Sequence, residues 1–181
     1  MEILKVIQSR HSVRQYASKP VEKEKIHRCL EAGLMAPSAC NAQPWRFIVV
    51  DKVELKNELA LAAKHLSFGM NQFADQAPVI IAIVMEPANI TSEFGSKIKR
   101  KHYPLIDIGI AAEHICLQAT AEGLGSCMLG WLNEMKAKKL LKVPAHKRVP
   151  LLITLGYKAN SKTKSHKRKD FDKIVRYNAY K

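Results

Sequence analysis

The sequence predicts one folded domain in which a β-sheet carries helices on both faces, of the α+β or α/β class. Three observations support this prediction. The chain has 181 residues, of which 47% are hydrophobic, enough to bury a single core. Short β-rich apolar runs alternate along the chain with segments of helical periodicity. Two of these runs, 77–85 and 150–157, are continuously apolar, as expected of buried strands.

The first half of the chain is predicted to form three helices and two strands. Residues 2–9 place apolar side chains at helical spacing, and "PVEKEKIHRCLEAGLMA" begins with a proline that suits a first helical turn. This second helix ends before Pro37. The run "WRFIVV" (45–50) is typical of a strand, and "DKVELKNELALAAKHL" is typical of a helix with Asp51 as its N-cap. The second strand is the apolar run 77–85.

The second half of the chain is organised around a strongly apolar segment. Residues 86–103 are polar and irregular, and we expect a loop or lid there. Residues 104–122 are apolar nearly all round a helical circumference, which indicates a buried helix, and Gly123 suits its C-terminal cap. A strand, a helix and a final strand follow at 126–132, 134–143 and 150–157. The polar, basic tail after the last strand is too poor in apolar residues to add a core element.

The charge and composition limit the classes of function. The formal net charge is +14, so the protein attracts anions such as nucleic acid, acidic membranes or phosphorylated small molecules. Basic residues cluster at 96–103 and 158–171. A nucleic-acid-binding protein is the weaker interpretation, because aromatic residues are only 7% of the chain and neither basic run forms a recognition helix. No specific nucleic-acid partner is expected.

The sequence also predicts a cytoplasmic protein without a membrane partner. No apolar run reaches the length of a membrane-spanning helix, and the N-terminus shows no export signal. The four cysteines are scattered without metal-ligand spacing, which favours free thiols in a reducing compartment.

Familiar catalytic motifs are absent from the sequence. There is no phosphate-binding P-loop, no metal-ligand spacing among the seven histidines and no serine nucleophile elbow. Gly123 and Gly125 follow a helix instead of opening one, so they do not form a dinucleotide fingerprint. We therefore expect no catalytic side chain and no metal; a bound cofactor would carry the chemistry.

Five segments in order resemble the FMN-dependent nitroreductase family. They are "RHSVRQY" (10–16), "APSACNAQPWRFIVV" (36–50), "GLGSCMLGWL" (123–132), "LITLGYKAN" (152–160) and "HKRKDF" (166–171). The resemblance covers essentially the whole chain, residues 1–181, as one FMN-binding domain. It implies an α+β fold, an α/β/α sandwich with a mixed central sheet flanked by helices. It also implies a homodimer with two FMN sites at the subunit interface, each built from both chains.

The first segment suits a phosphate. Guanidinium groups bind phosphate in a planar, bidentate manner, and Arg10 and Arg14, four residues apart, can approach one anion together with the Ser12 hydroxyl. The resemblance implies that these residues and His11 contact the phosphate, ribityl chain and pyrimidine edge of FMN. In the basic tail, it implies that Arg168 and Lys169 complete the phosphate site, with Lys167 as the alternative to either.

The remaining site residues would lie against the flavin ring. A turn of small residues lets backbone approach a flat ring, and the resemblance implies contact across the dimer interface from Pro37, Ser38, Ala39, Cys40 and Asn41. Whether the Cys40 thiol faces the site is open. Asn71 is a further candidate. In "CMLG", the resemblance implies that Met128 and Leu129 line the ring and that Gly130 offers its N–H to flavin N5.

The function expected from this resemblance is that of an FMN-dependent NAD(P)H oxidoreductase. NADH or NADPH would deliver hydride to flavin N5 and leave, and a small electron-poor acceptor such as a nitroaromatic or quinone would then take the electrons. Arg14 is the candidate to stabilise negative charge on the reduced flavin. A basic nucleic-acid-binding protein and a non-catalytic FMN-binding protein are the alternatives.

Overall fold

The computed structural model describes residues 2–64, 69–87, 102–160 and 167–180. Of the loop or lid expected at 86–103, residues 88–101 lie outside the described residues.

The described elements follow the predicted alternation. The helices are α1 (Ile3–Ser9), α2 (Lys23–Leu34), α3 (Val53–Ala63), α4 (Tyr103–Ala121), α5 (Glu134–Leu140) and α6 (Phe171–Ile174). The strands are β1 (Trp45–Val50), β2 (Val79–Met85), β3 (Gly125–Leu129) and β4 (Arg148–Gly156). Two short 3₁₀ turns, Ala39–Asn41 and Ala74–Gln76, lie in the connections.

The four strands form one sheet in the order β1-β2-β4-β3, and each neighbouring pair is antiparallel. This pairing selects the α+β class from the two that the strand pattern left open. A parallel pairing does occur, as an isolated bridge between Ser12 and Ser126 on the outer edge of β3. β2 and β4 lie at the centre of the sheet, and six of the seven residues of β2 are buried, as its apolar run predicts.

Helices cover both faces of the sheet, as predicted. Side chains of β2 alternate between two cores: Ile80 and Ala82 join the core on the α3 and α5 face, while Ile81 and Ile83 join the core on the α2 and α4 face. Helix α4 supplies much of the second core, with Ile115 completely buried. The expected buried helix is therefore confirmed, and it is the element on which the candidate site rests.

Three boundaries test the sequence predictions in detail. Gly123 has a left-handed φ of 76°, and the N–H of Leu124 donates to the carbonyl of Ala119 at 2.8 Å, so the predicted C-terminal cap is confirmed. The predicted N-cap of α3 is wrong: Lys52 occupies that position, and no side chain caps the helix. β3 ends at Leu129 instead of continuing to 132, because the chain turns there toward α5.

Within the described residues, the helices are too short or too polar to cross a membrane.

Candidate functional site

The segment 10–14 is fixed against the outer edge of β3. The N–H of Val13 donates to the carbonyl of Ser126 at 2.9 Å, next to the parallel bridge between Ser12 and Ser126. Gly125 permits this approach, since a Cβ added there would lie 2.6 Å from Cγ2 of Val13. Two motifs far apart in sequence, "RHSVRQY" and "GLGS", therefore form one unit.

Tyr16 anchors the other end of the same segment. It forms an antiparallel bridge with Lys158, and its buried hydroxyl lies 2.8 Å from Oγ1 of Thr154. Burial raises the pKa of Tyr16 above its ordinary value. The ring also lies close to Gly156, where an added Cβ would be 3.0 Å from Cδ1 of Tyr16 and 2.5 Å from Cδ of Pro78. These contacts explain why "LITLGY" accompanies the N-terminal motif.

The two arginines of the segment are held differently. Nε of Arg10 lies 3.1 Å from Oε1 of Glu113 on α4, and the Arg10 side chain is 21% exposed. Arg14 is exposed, and its Nη1 donates to the carbonyl of Ser12 at 3.5 Å. His11 is half-buried beside them. The carboxylate of Glu113 takes the Nε side of Arg10, so the Nη nitrogens carry its remaining donors for an anion.

The outer edge of β3 provides main-chain groups next to the arginines. In an antiparallel strand, alternate residues direct both N–H and C=O away from the partner strand. The carbonyl of Ser126 faces outward to Val13, so the main chain of Met128 also faces outward. In the part of the chain that the structure describes, no strand pairs with this edge.

Gly130 lies beside open space, whereas the neighbouring Leu129 side chain is buried. A Cβ added at Gly130 would meet no atom of the described residues within 4 Å, so the described structure leaves the space beside this backbone open. Leu129 is 2% exposed, and its side chain packs in the core on the α3 and α5 face. The structure therefore does not support the expectation that the Leu129 side chain lines a flavin ring.

Asn71 connects α3 to the residue that follows Gly130. It has a left-handed φ of 58°, and its Nδ2 donates to the carbonyls of Ala63 at 3.0 Å and Trp131 at 3.2 Å. Its side-chain N–H groups brace the turn after β3, and its Oδ1 is the group left for a ligand.

The loop 37–43 has an unusual backbone. Cys40, Asn41 and Gln43 all have left-handed φ values, of 52°, 51° and 46°. Such conformations in residues other than glycine are costly and concentrate at functional sites. Oγ of Ser38 accepts the N–H of Gln43 at 2.9 Å, and the N–H of Ala39 donates to the carboxylate of Asp107.

Helix α4 contacts the two parts of the candidate site at different positions along its length. Arg10 and the loop 37–43 both rest on α4, through Glu113 and Asp107, which are about 9 Å apart along the helix axis and about 120° apart around it. The N–H of Gln43 donates to Oγ of Ser38 within the loop, and Nη1 of Arg14 donates to the carbonyl of Ser12 within its own segment. Arg168 and Lys169 are exposed, and the hydrogen bonds of Lys173 with Asp170 and of Arg176 with Val175 lie within the tail itself.

A cavity of about 460 Å³ lies beside Gly130 and was not found by sequence reasoning. It is formed where β2 and β3 end, β4 begins and α4 starts, so four distant segments contribute to it. Its lining is mostly apolar, with His102 and an ion pair between Arg148 and Glu134 at 2.7 Å. The hydrogen bond from Arg148 lowers the pKa of the Glu134 carboxyl.

The cysteines do not offer a buried nucleophile. Burial raises the pKa of Cys29 to about 12 and that of Cys116 to about 11, so both thiols are protonated at neutral pH. Cys40 is the exposed one of the four. Among the described residues, no group of three or more acidic, histidine or cysteine side chains is arranged to hold a metal ion.

Comparison with known proteins identifies the family. The sequence profile of the nitroreductase family matches residues 7–157. The chain belongs to the nitroreductase family. A protein of Archaeoglobus fulgidus with a provisional NADH dehydrogenase/NAD(P)H nitroreductase name is 33% identical over 167 residues, which cover 89% of this chain and 88% of that protein.

Solved structures agree with this nitroreductase assignment. The FMN-dependent nitroreductase of Clostridium difficile R20291 superposes with a TM-score of 0.80 at 30% identity, covering 98% of this chain and 99% of that one. A nitroreductase family protein of Clostridium novyi NT gives a TM-score of 0.76 at 31% identity, covering 89% and 87%. The predicted resemblance and the α+β nitroreductase fold are confirmed, and the chain is a flavin-dependent oxidoreductase.

Proposed function

We propose that this nitroreductase-family chain is an FMN-dependent NAD(P)H oxidoreductase that passes electrons to small electron-poor acceptors. The observation that carries the proposal is the docking of segment 10–14 on β3, through the hydrogen bond from Val13 to Ser126. It brings two guanidinium groups beside an open strand edge that leads to Gly130. A phosphate with a flat ring attached needs this combination of charge, main-chain donors and free space.

The donor chemistry and the open space fit FMN. Arg10, His11, Ser12 and Arg14 would hold the phosphate, ribityl chain and pyrimidine edge. Met128 would meet the ring with its outward main chain, and Asn71 with its Oδ1. The open space at Gly130 leaves room for the ring, with the Gly130 N–H as the donor to N5. The Arg14 guanidinium would stabilise the negative charge that the ring gains on reduction.

FMN, when bound, supplies the hydride chemistry between a nicotinamide donor and the acceptor. The protein contributes binding, orientation and charge, so no side chain is required as nucleophile or base. Donor and acceptor use the same face in turn, a ping-pong order. The donor is NADH or NADPH, and nitroaromatics and quinones are the acceptor class. The four cysteines form no disulfide, which supports a cytoplasmic location.

The site is completed in a homodimer. The loop residues Pro37, Ser38, Ala39, Cys40 and Asn41 would meet the flavin held by the partner subunit, and Arg168 and Lys169 would complete a phosphate site. The separation of Asp107 and Glu113 around α4 supports this, because the loop and Arg10 contact different sides of one helix.

Exposed apolar side chains provide a surface for that dimer. They are Ile3, Leu4 and Ile7 on α1, Leu105 and Ile106 on α4, and Phe171, Ile174, Tyr177 and Tyr180 in the tail. An apolar surface of this kind on both a helix and a terminal segment favours association with a second copy.

The visible spectrum of the purified, undialysed protein tests the proposal. We expect a yellow protein whose flavin absorbance bleaches under anaerobic NADH or NADPH and returns when a quinone is added. Chromatography of the released flavin should identify FMN. A protein that stays colourless after FMN is supplied contradicts the proposal. A yellow protein that neither nicotinamide bleaches would be a binding protein without turnover.

A further inference from the structure

We propose that Asp107 is the positioning residue that holds the loop 37–43 in its flavin-facing conformation. The proposal rests on the proposed function, because FMN is the ligand that the loop would meet. Neither the sequence motifs nor the family resemblance assigns a role to Asp107.

The contact is buried and specific. Asp107 is 4% exposed, on the face of α4 that packs toward the loop. Its Oδ1 and Oδ2 both lie 3.2 Å from the backbone nitrogen of Ala39, whose N–H donates to this carboxylate. A buried carboxylate is costly unless hydrogen bonds stabilise it, so this contact ties the loop to the helix.

Asp107 takes the place of a local cap. Ala39 begins a 3₁₀ turn, and the first N–H groups of such a turn have no partner within it. Ser38 holds the N-cap position but caps nothing, since its Oγ accepts the N–H of Gln43 instead. The acceptor for Ala39 comes from 68 positions further along the chain.

The backbone of the loop needs such an anchor. Cys40, Asn41 and Gln43 have left-handed φ values, a conformation that residues with a Cβ leave unless their surroundings enforce it. The hydrogen bonds within the loop close the turn, as from the N–H of Asn41 to the carbonyl of Ser38 at 3.0 Å. The Asp107 carboxylate connects this turn to α4.

The thiol of Cys40 reports on this anchor without any flavin. Cys40 is exposed, whereas Cys29, Cys116 and Cys127 are at most 4% exposed. The rate at which a thiol reagent such as DTNB modifies the protein therefore reports on the conformation of the loop around Cys40. We expect Asp107→Ala to change the Cys40 reaction rate by more than about twofold, because losing the charge-assisted hydrogen bond lets the strained loop around this exposed thiol relax. Asp107→Asn keeps an acceptor oxygen and should stay within about twofold of the wild type.

A matched control separates anchoring from general destabilisation. Ile115→Val removes a buried methylene from the same helix, two turns away from the loop contact, and should leave the Cys40 rate unchanged. Equal rates in the wild type and Asp107→Ala, or an equal change in Ile115→Val, would overturn the proposal. Mass spectrometry of the labelled peptide confirms that Cys40 is the residue modified.

Flavin titration tests the functional half. Asp107→Ala should lower FMN affinity about tenfold, while Asp107→Asn retains it. Unchanged FMN affinity in Asp107→Ala would overturn the positioning role even if the thiol rate changes. A wild-type protein that binds no FMN contradicts the proposed function itself, and the thiol rates would still decide whether Asp107 anchors the loop.

Discussion

Val13 lies directly over Gly125, so close that a Cβ at the glycine would be 2.6 Å from Cγ2 and 2.9 Å from Cβ of the valine. The contact joins the arginine-bearing segment to the strand that leads to Gly130. The position of Arg10 and Arg14 thus depends on a glycine more than 100 residues away.

Gly125→Ala should therefore disturb both stability and cofactor binding. Overpacking against a branched side chain that cannot swing away typically costs about 1–3 kcal/mol. Urea unfolding should show this loss, and FMN affinity should fall with it. The double variant Val13→Ala/Gly125→Ala should recover part of both, because the clashing methyl groups are gone. Additive effects of the two substitutions would contradict the direct contact.

Gly130→Ala should separate folding from cofactor binding. An added Cβ there meets no atom of the described residues within 4 Å, so the free energy of unfolding should change by less than about 0.5 kcal/mol. If a flavin ring occupies the open space, the methyl group interferes and FMN affinity falls. FMN titration of the variant, compared with its urea unfolding curve, shows whether affinity falls while stability is kept. Normal FMN binding in Gly130→Ala would remove Gly130 from the site.

Arg10→Ala should act on the phosphate of the ligand. Loss of a charge-assisted hydrogen bond costs about 1.5–3 kcal/mol, or roughly 10–100-fold in affinity, and riboflavin lacks the phosphate. We expect FMN to bind more weakly while riboflavin binding is little changed. Arg14→Ala should weaken both ligands, because we propose that the Arg14 guanidinium acts on the ring, which FMN and riboflavin share.

Fluorescence titration with FMN and riboflavin measures these differences. Arg46→Ala is the control and should change neither affinity. Arg46 lies on β1, away from the N-terminal segment, and pairs with Glu86. Equal losses of FMN and riboflavin in Arg10→Ala would show that Arg10 supports the fold and not the phosphate.

Tyr16 makes the free energy of unfolding depend on pH in the alkaline range. Burial raises its pKa in the folded state, whereas the unfolded chain releases the phenolic proton near pH 10. Above about pH 10 the folded state binds more protons than the unfolded state, so the free energy of unfolding falls as pH rises. Tyr16→Phe removes this dependence.

Urea unfolding at about pH 8 and about pH 11 measures the effect. Tyr16→Phe should be about 1–2 kcal/mol less stable at the lower pH, because it loses the hydrogen bond with Thr154, and the gap should narrow at the higher pH. Tyr180→Phe, with the tyrosine 95% exposed, should show no such narrowing. A constant gap for Tyr16→Phe would argue against the raised pKa.

The tail should contribute to dimer formation. Phe171 and Ile174 are 65% and 63% exposed, and burying such side chains in an interface contributes about 1.5–3 kcal/mol each. Phe171→Ser/Ile174→Ser should raise the dimer dissociation constant by at least about tenfold in sedimentation analysis. Lys173→Ala, on the same helix, should leave it unchanged. A double variant that dimerises normally would place the interface elsewhere.

Local patterns in the sequence predicted most elements, because burial imposes its periods of two and 3.6 residues on each segment separately. The cap at Gly123 was also predictable locally, because glycine adopts the left-handed φ that ends a helix. The N-cap proposed at Asp51 was wrong, since two polar residues, Asp51 and Lys52, precede α3 and the pattern does not choose between them. Likewise, the apolar letters "GWL" after β3 concealed its end at Leu129.

The contacts that organise the candidate site were not predictable locally. The pairs Asp107 with Ala39 and Glu113 with Arg10 form only when α4 docks on the sheet. Each acidic side chain alone resembles many others in the chain. Leu129 shows the opposite case: its place in a motif predicts a ligand contact, whereas strand alternation places its side chain in the core.

The border of β3, with which no strand of the described ranges pairs, has a practical consequence for handling the protein. Segment 10–14 protects only the first part of that border, and unpaired strand borders invite intermolecular pairing and precipitation. A cofactor lying along Met128 and Gly130 would shield the remainder. Expression and refolding with riboflavin or FMN supplied should therefore give more soluble material than flavin-depleted cultures.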